Sequence, residues 1–137
     1  MAPVISVTTG EFLLRWLIAF GITQGVECPL YMRVFRVRFA VAFTASAITH
    51  PLVAFAIPSL WAYVIPAAES AFGHTLSDDA YFVGYGAVAE TFAIVAEAVW
   101  LAWRTNLTLR RAFVASLVAN VASASIGGLI YLITGYP

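Results

Sequence analysis

Four long apolar stretches, separated by short segments that carry most of the charge, dominate the chain. They cover residues 12–32, 39–65, 81–103 and 112–134. Each reaches the length of about 20 residues that an α-helix needs to cross roughly 30 Å of hydrocarbon. A transmembrane β-barrel needs strands of alternating polarity, whereas these stretches are continuously apolar and rich in Ala, Val and Leu. The pattern therefore predicts an all-α fold, a single domain of four transmembrane helices arranged as an up-and-down bundle.

Composition agrees with a membrane protein. The 137 residues are 62% hydrophobic and 10% charged, and the mean hydropathy is +0.91. A soluble domain carries roughly 25% charged residues, and a chain of this size cannot bury so much apolar surface in a water-facing core. The zero net charge argues against nucleic-acid binding, and the single cysteine, Cys28, excludes an intrachain disulfide framework. We expect the lipid bilayer as the surrounding medium and no nucleic acid as a partner.

The distribution of basic residues predicts an orientation. All seven are arginines, and six fall in two short segments between the first and second stretches and between the third and fourth: Arg33, Arg36, Arg38, Arg104, Arg110 and Arg111. The positive-inside rule makes both segments cytoplasmic. Both termini then lie outside, as does the acidic segment that contains Glu69, Asp78 and Asp79. We expect an integral protein of a bacterial-type inner (plasma) membrane.

Local sequence signals predict three helix starts. Thr8 followed by Glu11 is a capping-box pattern at the first helix. Ser77, which precedes two aspartates, is a typical N-cap for the third helix. In Asn106-Leu-Thr108 the threonine lies in a predicted cytoplasmic loop, so we interpret this glycosylation-like sequence as the start of the fourth helix.

An internal duplication is a further interpretation. Aligning Arg38 with Arg111 superposes two ladders of small residues that recur every fourth position, namely Ala42, Ser46, His50 and Ala54 against Ala115, Ala119, Ser123 and Gly127. Such ladders let transmembrane backbones approach closely. The helices before them both end with a glutamate, aromatic residues and an arginine. The chain is thus compatible with two parallel two-helix repeats, and the alternative is a chance match between alanine-rich helices.

Four ionisable residues lie inside the predicted spans, where each costs about 2.5–3.5 kcal/mol on insertion scales: Glu27, His50, Glu90 and Glu97. Their depth along the helices places Asn120 and Ser123 in overlapping layers. Glu90 and His50 are the deepest of the ionisable residues, so we expect them to face the bundle interior and to be coupled. Intramembrane ionisable residues usually face the protein interior and mark ion or proton pathways. We therefore expect these six residues to form one polar binding cluster that handles protons, cations or a small polar solute. The sequence contains no nucleotide-binding loop motif, so any transport would use a gradient.

Pro51 directly follows His50 and removes the backbone donor for the carbonyl of Ala47. We expect the second helix to be kinked at this histidine, and the freed carbonyl is an additional oxygen ligand for a cation.

No cofactor is expected, although binding of a divalent metal is an open alternative, because Glu and His side chains suit zinc, iron or manganese. The sequence lacks both the Glu-x-x-His pattern of diiron bundles and the His-Glu-x-x-His pattern of zinc proteases. The small-residue ladders offer contact faces, so we expect a homo-oligomer or a place in a larger membrane complex.

Two other functional classes stay open. The chain would be an accessory or assembly subunit of a larger membrane complex if the buried polar residues only fix helix partners. It would be an intramembrane enzyme if His50 acts as a base for a nucleophilic Ser123 or Ser125. Of the three functions, the sequence favours an enzyme least.

Overall fold

The structure, a computed structural model, describes residues 8–135. These residues form α1 (Thr9–Arg33), α2 (Phe39–Pro51), a π-helical segment (Leu52–Ala56), α3 (Ile57–Phe72), α4 (Asp78–Arg104) and α5 (Leu109–Thr134), with no β-strand among them. The helix α2, the π-helical segment and α3 together form one continuous helix, Phe39–Phe72. The prediction of an all-α fold with four long helices is confirmed.

Three of the four long helices are long and apolar enough to cross a membrane: Phe39–Phe72, Asp78–Arg104 and Leu109–Thr134. Within the described residues, α1 has the length of a span but not the composition, because Arg15, Gln24 and Glu27 interrupt its apolar sequence. The membrane character of the chain is therefore carried by three helices. The fourth span and the bundle arrangement stay predictions.

All three predicted helix starts are confirmed. The Thr8 side chain accepts a hydrogen bond from the Glu11 amide, and Glu11 accepts one in return from the Thr8 amide at 2.9 Å. Ser77 accepts from the Ala80 amide at 3.2 Å, and Thr108 accepts from the Arg111 amide at 3.4 Å. These side chains satisfy amide donors that a helix leaves without a partner at its first turn.

The second long helix differs from its prediction in length and regularity. It continues to Phe72, seven residues beyond the predicted end at residue 65. Directly after Pro51 the hydrogen bonding widens from α to π over Leu52–Ala56. Proline has no amide hydrogen to donate, and a π-helical turn is one way in which a helix absorbs that interruption. The backbone is therefore irregular directly after Pro51, and the kink at His50 stays a prediction.

The tightly packed part of the molecule lies near the two short loops, residues 34–38 and 105–108. Here α1 and α4 each pack against both α2 and α5. Large buried side chains are few, and alanines fill most of the contact surface. In α3, and in α5 beyond Ser123, none of the described residues is buried. The helices are therefore in close contact at the arginine-rich end and loosely packed toward the other.

Burial repeats along the chain with a spacing of 70 residues. Equivalent buried pairs are Glu27 and Glu97, Ala42 and Ala112, Ala45 and Ala115, and Ser46 and Ser116. The N-caps of α2 and α5, Arg38 and Thr108, have the same spacing. The buried pairs therefore align residue 38 with residue 108. The predicted alignment of Arg38 with Arg111 differs from that one by three residues. Small residues recur at nearly every turn of these helices, so the sequence ladder matches in more than one register.

A close contact between α3 and α4 supplies a test of the packing. A Cβ atom added at Gly84 would lie 3.0 Å from Cζ2 of the Trp61 ring, whereas one added at Gly86 would meet nothing within 4 Å. Alanine is favoured over glycine inside a helix by about 1 kcal/mol. We expect Gly86→Ala to raise the free energy of unfolding in detergent, and Gly84→Ala to lose that gain by displacing the indole. Equal stability of the two variants would contradict this contact.

Candidate functional site

Glu27 is a buried carboxylate held by hydroxyl groups of two neighbouring helices. Its side chain is 1% exposed in the packed region of α1. It accepts a short hydrogen bond from Oγ of Ser46 on α2, and another from Oγ of Ser123 on α5 at 2.7 Å. Both oxygens of the carboxylate therefore have a donor, and each donor comes from a different helix. Glu27 joins three helices at one point.

Glu97, the equivalent residue on α4, is also 1% exposed and has more donors. Its Oε2 accepts from the Tyr31 hydroxyl at 2.6 Å and from Nδ2 of Asn120 at 2.9 Å, with Oγ of Ser116 at 3.4 Å. Its Oε1 accepts from Oγ1 of Thr49 at 2.8 Å. Donors thus reach Glu97 from the three other packed helices.

Second contacts connect the surroundings of the two carboxylates. The side-chain amide of Asn120, a donor to Glu97, also donates to the backbone carbonyl of Ser116 at 2.9 Å. The backbone carbonyl of Asn120 lies 3.1 Å from the Ser123 hydroxyl oxygen. On α2 the two donors Ser46 and Thr49 are three residues apart and share a helix face. Two glutamates and six hydroxyl or amide side chains therefore form one buried network, which we call the carboxylate pair and its donors.

The charge of this network is not balanced by a basic side chain. Within residues 8–135, every hydrogen-bond partner of Glu27 and Glu97 is a neutral hydroxyl or amide. Neutral donors stabilise a carboxylate, but removal of its charge from water still costs several kcal/mol when no cation is close. Two adjacent carboxylates also repel each other. The pair is therefore suited to take up a proton or a cation.

A cavity of about 450 Å³ adjoins the carboxylate pair. Its walls include all six residues that the sequence predicted as a polar cluster: Glu27, His50, Glu90, Glu97, Asn120 and Ser123. Much of the remaining surface is aliphatic or glycine, and the α5 wall continues through Gly127 and Gly128 to Tyr131. On the side of the short loops, Tyr31, Leu101 and Ala112 are completely buried. The cavity therefore extends from the carboxylates toward the loosely packed end.

His50 and Glu90 occupy the wall of this cavity but do not join the hydrogen-bonded network. The His50 ring lies against Phe20 and Trp16, with ring centroids 5.2 Å and 5.8 Å away, and its Nδ1 is buried without a hydrogen-bond partner among the described residues. Glu90 is exposed, and no hydrogen bond joins it to His50 in the described part of the chain. The expected coupling of these two residues stays a prediction.

A second cavity, of about 670 Å³, shares the wall residues Ala19 and His50 with the first. We call it the aromatic chamber because seven of its wall residues are large aromatic side chains of four helical elements, among them Trp16, Phe55 and Trp61. Tyr85 on its wall donates a hydrogen bond to the Val53 carbonyl in the π-helical segment at 3.1 Å. That contact supplies a donor to the irregular stretch after Pro51.

The structure bears on two of the alternatives. Among residues 8–135, no group of three or more His, Cys, Asp or Glu side chains could hold a metal ion. Ser123 donates to Glu27, and Ser125 donates to the Val121 carbonyl of its own helix at 2.7 Å. Neither hydroxyl donates to His50 in these contacts, although Ser123 and His50 line the same cavity, so the enzyme hypothesis stays a prediction.

Sequence reasoning missed four of the donors. Tyr31, Thr49 and Ser116 were not singled out, and Ser46 was noted only as a packing residue of the small ladder. Their signal is positional, since Ser46 and Ser116 share the buried faces of α2 and α5 with alanines one turn earlier. A hydroxyl on a small-residue face that is opposite a buried carboxylate is a candidate donor to it, in competition with the backbone carbonyls one turn earlier in its own helix.

Comparison with protein-family models, with curated proteins and with solved structures finds no match to this chain.

Proposed function

We propose that the chain is a small transmembrane protein that exchanges protons for a cation at the carboxylate pair, Glu27 and Glu97, and moves both across the membrane. The observation that carries the proposal is the burial of two neighbouring carboxylates with only neutral partners at the wall of a 450 Å³ cavity. Ionisable residues placed in this way inside membrane proteins mark ion and proton pathways.

The exchange follows from charge. In a low-dielectric site two carboxylates without a basic partner hold at least one proton between them, because the repulsion and desolvation of two anions are costly. A cation that enters the cavity compensates one negative charge. The carboxyl group then releases its proton to water in the cavity, so that one positive charge replaces another and the charge of the site is unchanged. Binding of the cation and release of the proton are thereby coupled.

The expected membrane arrangement supports this function. We place α1 as a fourth span, completing an up-and-down bundle, because it has 25 residues, packs against α2 and α5, and directs Glu27 inward rather than to lipid. With the arginine-rich loops in the cytoplasm, the packed end closes the site on the cytoplasmic side. The cavity then opens toward the outside. This arrangement corresponds to an outward-open state, and transport requires a second state in which the packed end separates.

Proton flux in liposomes tests the proposed function. Purified protein is reconstituted with a pH-sensitive dye inside, and outward gradients of Na⁺, K⁺ or tetramethylammonium are imposed in turn. We expect at least one of them to drive proton movement, which Glu27→Gln and Glu97→Gln each reduce at least tenfold. Glu69→Gln is the control, because Glu69 lies at the end of α3 and accepts a hydrogen bond from the Leu76 amide there.

Permanently charged or inorganic cations are used because a weak base would cross the bilayer in its neutral form and change the internal pH unaided. If neither these cations nor larger organic ammonium ions drive a flux that depends on the two glutamates, the exchange proposal is wrong. The carboxylate pair would then serve only to fix helix contacts, as in an accessory subunit.

A further inference from the structure

The two neighbouring cavities, which share Ala19 and His50 as wall residues, indicate which kind of cation the carboxylate pair accepts. At about 450 and 670 Å³, each has the volume of a site for a small organic molecule, which is commonly 300–1,000 Å³. A bare sodium or potassium ion fills only a small part of such a space. The volume therefore favours a cation with a sizeable organic body.

The few unused lone pairs of the carboxylate pair also favour an organic cation. Glu97 Oε2 already accepts hydrogen bonds from Tyr31 and Asn120, and the other carboxylate oxygens each have one donor. A hard divalent ion needs about six close oxygen ligands, and few lone pairs are left to supply them. An alkylammonium group needs only a negative field and a few contacts. It suits carboxylates that are already held by other donors.

The aromatic chamber gives the ligand a second contact region. It contains three buried polar atoms that have no hydrogen-bond partner among the described residues: Nδ1 of His50, Nε1 of Trp16 and Nε1 of Trp61. Buried polar groups are nearly always paired in folded proteins, and an indole nitrogen is a donor only. A bound molecule with an acceptor oxygen would pair these groups, while the aromatic faces contact its apolar part.

From these observations we infer that the cation is an organic ammonium ion whose charged end binds at Glu27 and Glu97 and whose apolar, aromatic body, bearing a hydrogen-bond acceptor, extends past His50 into the aromatic chamber. This inference rests on the proposed function and names its substrate class. Trp16 and Glu27 are eleven residues apart on α1, which is about 16 Å along the helix. The ligand body must therefore be extended, with its two ends separated by roughly ten or more ångströms.

Binding of synthetic trimethylammonium ions to the whole chain in lipid nanodiscs tests the class. The probes are tetramethylammonium, benzyltrimethylammonium, 6-phenylhexyltrimethylammonium and 6-benzoylhexyltrimethylammonium, titrated calorimetrically with empty nanodiscs as the blank. We expect the 6-phenylhexyl ion to bind at least tenfold more tightly than either short ion, because only its ring reaches the chamber. The 6-benzoylhexyl ion, which adds a carbonyl acceptor, is expected to bind more tightly still.

Two matched tryptophan variants separate specific binding from partition into lipid. Trp16→Leu is expected to reduce the advantage of the 6-phenylhexyl ion over tetramethylammonium at least fivefold. Trp103→Leu makes the same change near the C-terminal end of α4, away from the aromatic chamber, where the ring contacts Arg104. It is expected to leave that advantage unchanged. Phe55→Leu, on the chamber wall, replaces Trp16→Leu if the latter loses binding of tetramethylammonium as well.

The outcomes distinguish the class from the function. Equal affinity for short and long ammonium ions, or equal effects of Trp16→Leu and Trp103→Leu, overturns the inferred class. If Na⁺ or K⁺ drives flux that depends on the two glutamates and no ammonium ion binds, the class is wrong and proton exchange stands. If none of the cations drives such a flux, both fail.

Discussion

Glu97→Leu is expected to lower the free energy of unfolding by about 1–3 kcal/mol, the cost of a buried donor that loses its acceptor. Leucine removes the acceptor of the Tyr31 hydroxyl and one acceptor of the Asn120 amide at the same time. Thr49 and Asn120 are less affected, since the Ala45 carbonyl lies 3.3 Å from the Thr49 hydroxyl and Oγ of Ser116 lies 3.2 Å from Nδ2 of Asn120. The loss is therefore dominated by the Tyr31 phenol.

Thermal and denaturant unfolding in detergent, followed by circular dichroism, measures this effect. Glu90→Leu is the matched control, since it makes the same change on the same helix two turns earlier, at an exposed residue, and should leave stability nearly unchanged. Glu97→Gln should cost about 1 kcal/mol, because its carbonyl can accept from Tyr31 and Asn120 while its amide donates to the Thr49 oxygen. Stability of Glu97→Leu equal to that of Glu90→Leu would mean that the buried network does not form.

Ala42→Leu is expected to destabilise the packed end by about 2–3 kcal/mol, the usual upper range for overpacking. Ala42 is 0% exposed, and small side chains at such contacts let helix backbones approach closely. Three added carbon atoms must separate α2 from its neighbours or force strained rotamers. Because Ala112 is the equivalent buried position 70 residues later, Ala112→Leu is expected to have a similar effect.

Ala40→Leu is the control for both changes, because Ala40 is exposed on the same helix as Ala42 and receives the identical substitution. Melting temperatures of the four proteins in one detergent decide the result. A melting temperature of Ala42→Leu that matches Ala40→Leu would remove the support for close packing at the arginine-rich end. A large effect of Ala42→Leu without one of Ala112→Leu would argue against the repeat with spacing 70.

The helices were predictable because their causes are local. Continuous apolar length, together with a capping threonine or serine, defines where α1, α4 and α5 begin within three residues of the predicted spans. The end of α3 was predicted seven residues early, because Pro66, Glu69 and Ser70 interrupt the apolar stretch, while the helix continues until Gly73 adopts a left-handed conformation. The π-helical segment was not foreseen, since proline signals an interruption without specifying how the backbone absorbs it.

The sequence indicated residues that line the cavity, but it did not indicate four of the donors or the arrangement of the network. An ionisable residue within an apolar span is visible in the sequence, so all six expected residues line the cavity. Estimates of depth favoured Glu90 and His50 as the central pair. The structure instead buries Glu27 and Glu97, because burial inside a helical membrane protein depends on the face a residue occupies, and depth along the axis does not contain that information.

By itself the sequence determined the class of protein, the number and approximate limits of its long helices, and the residue types available for proton or cation chemistry, because each follows from composition and short-range pattern. Only the tertiary structure decided which helices pack together, which buried positions recur 70 residues apart, and which hydroxyls hold the two buried carboxylates. These features depend on contacts between residues such as Glu27 and Ser123, which are 96 positions apart. A contact of that kind is specified by the joint packing of several helix faces, and each face taken alone is compatible with several registers.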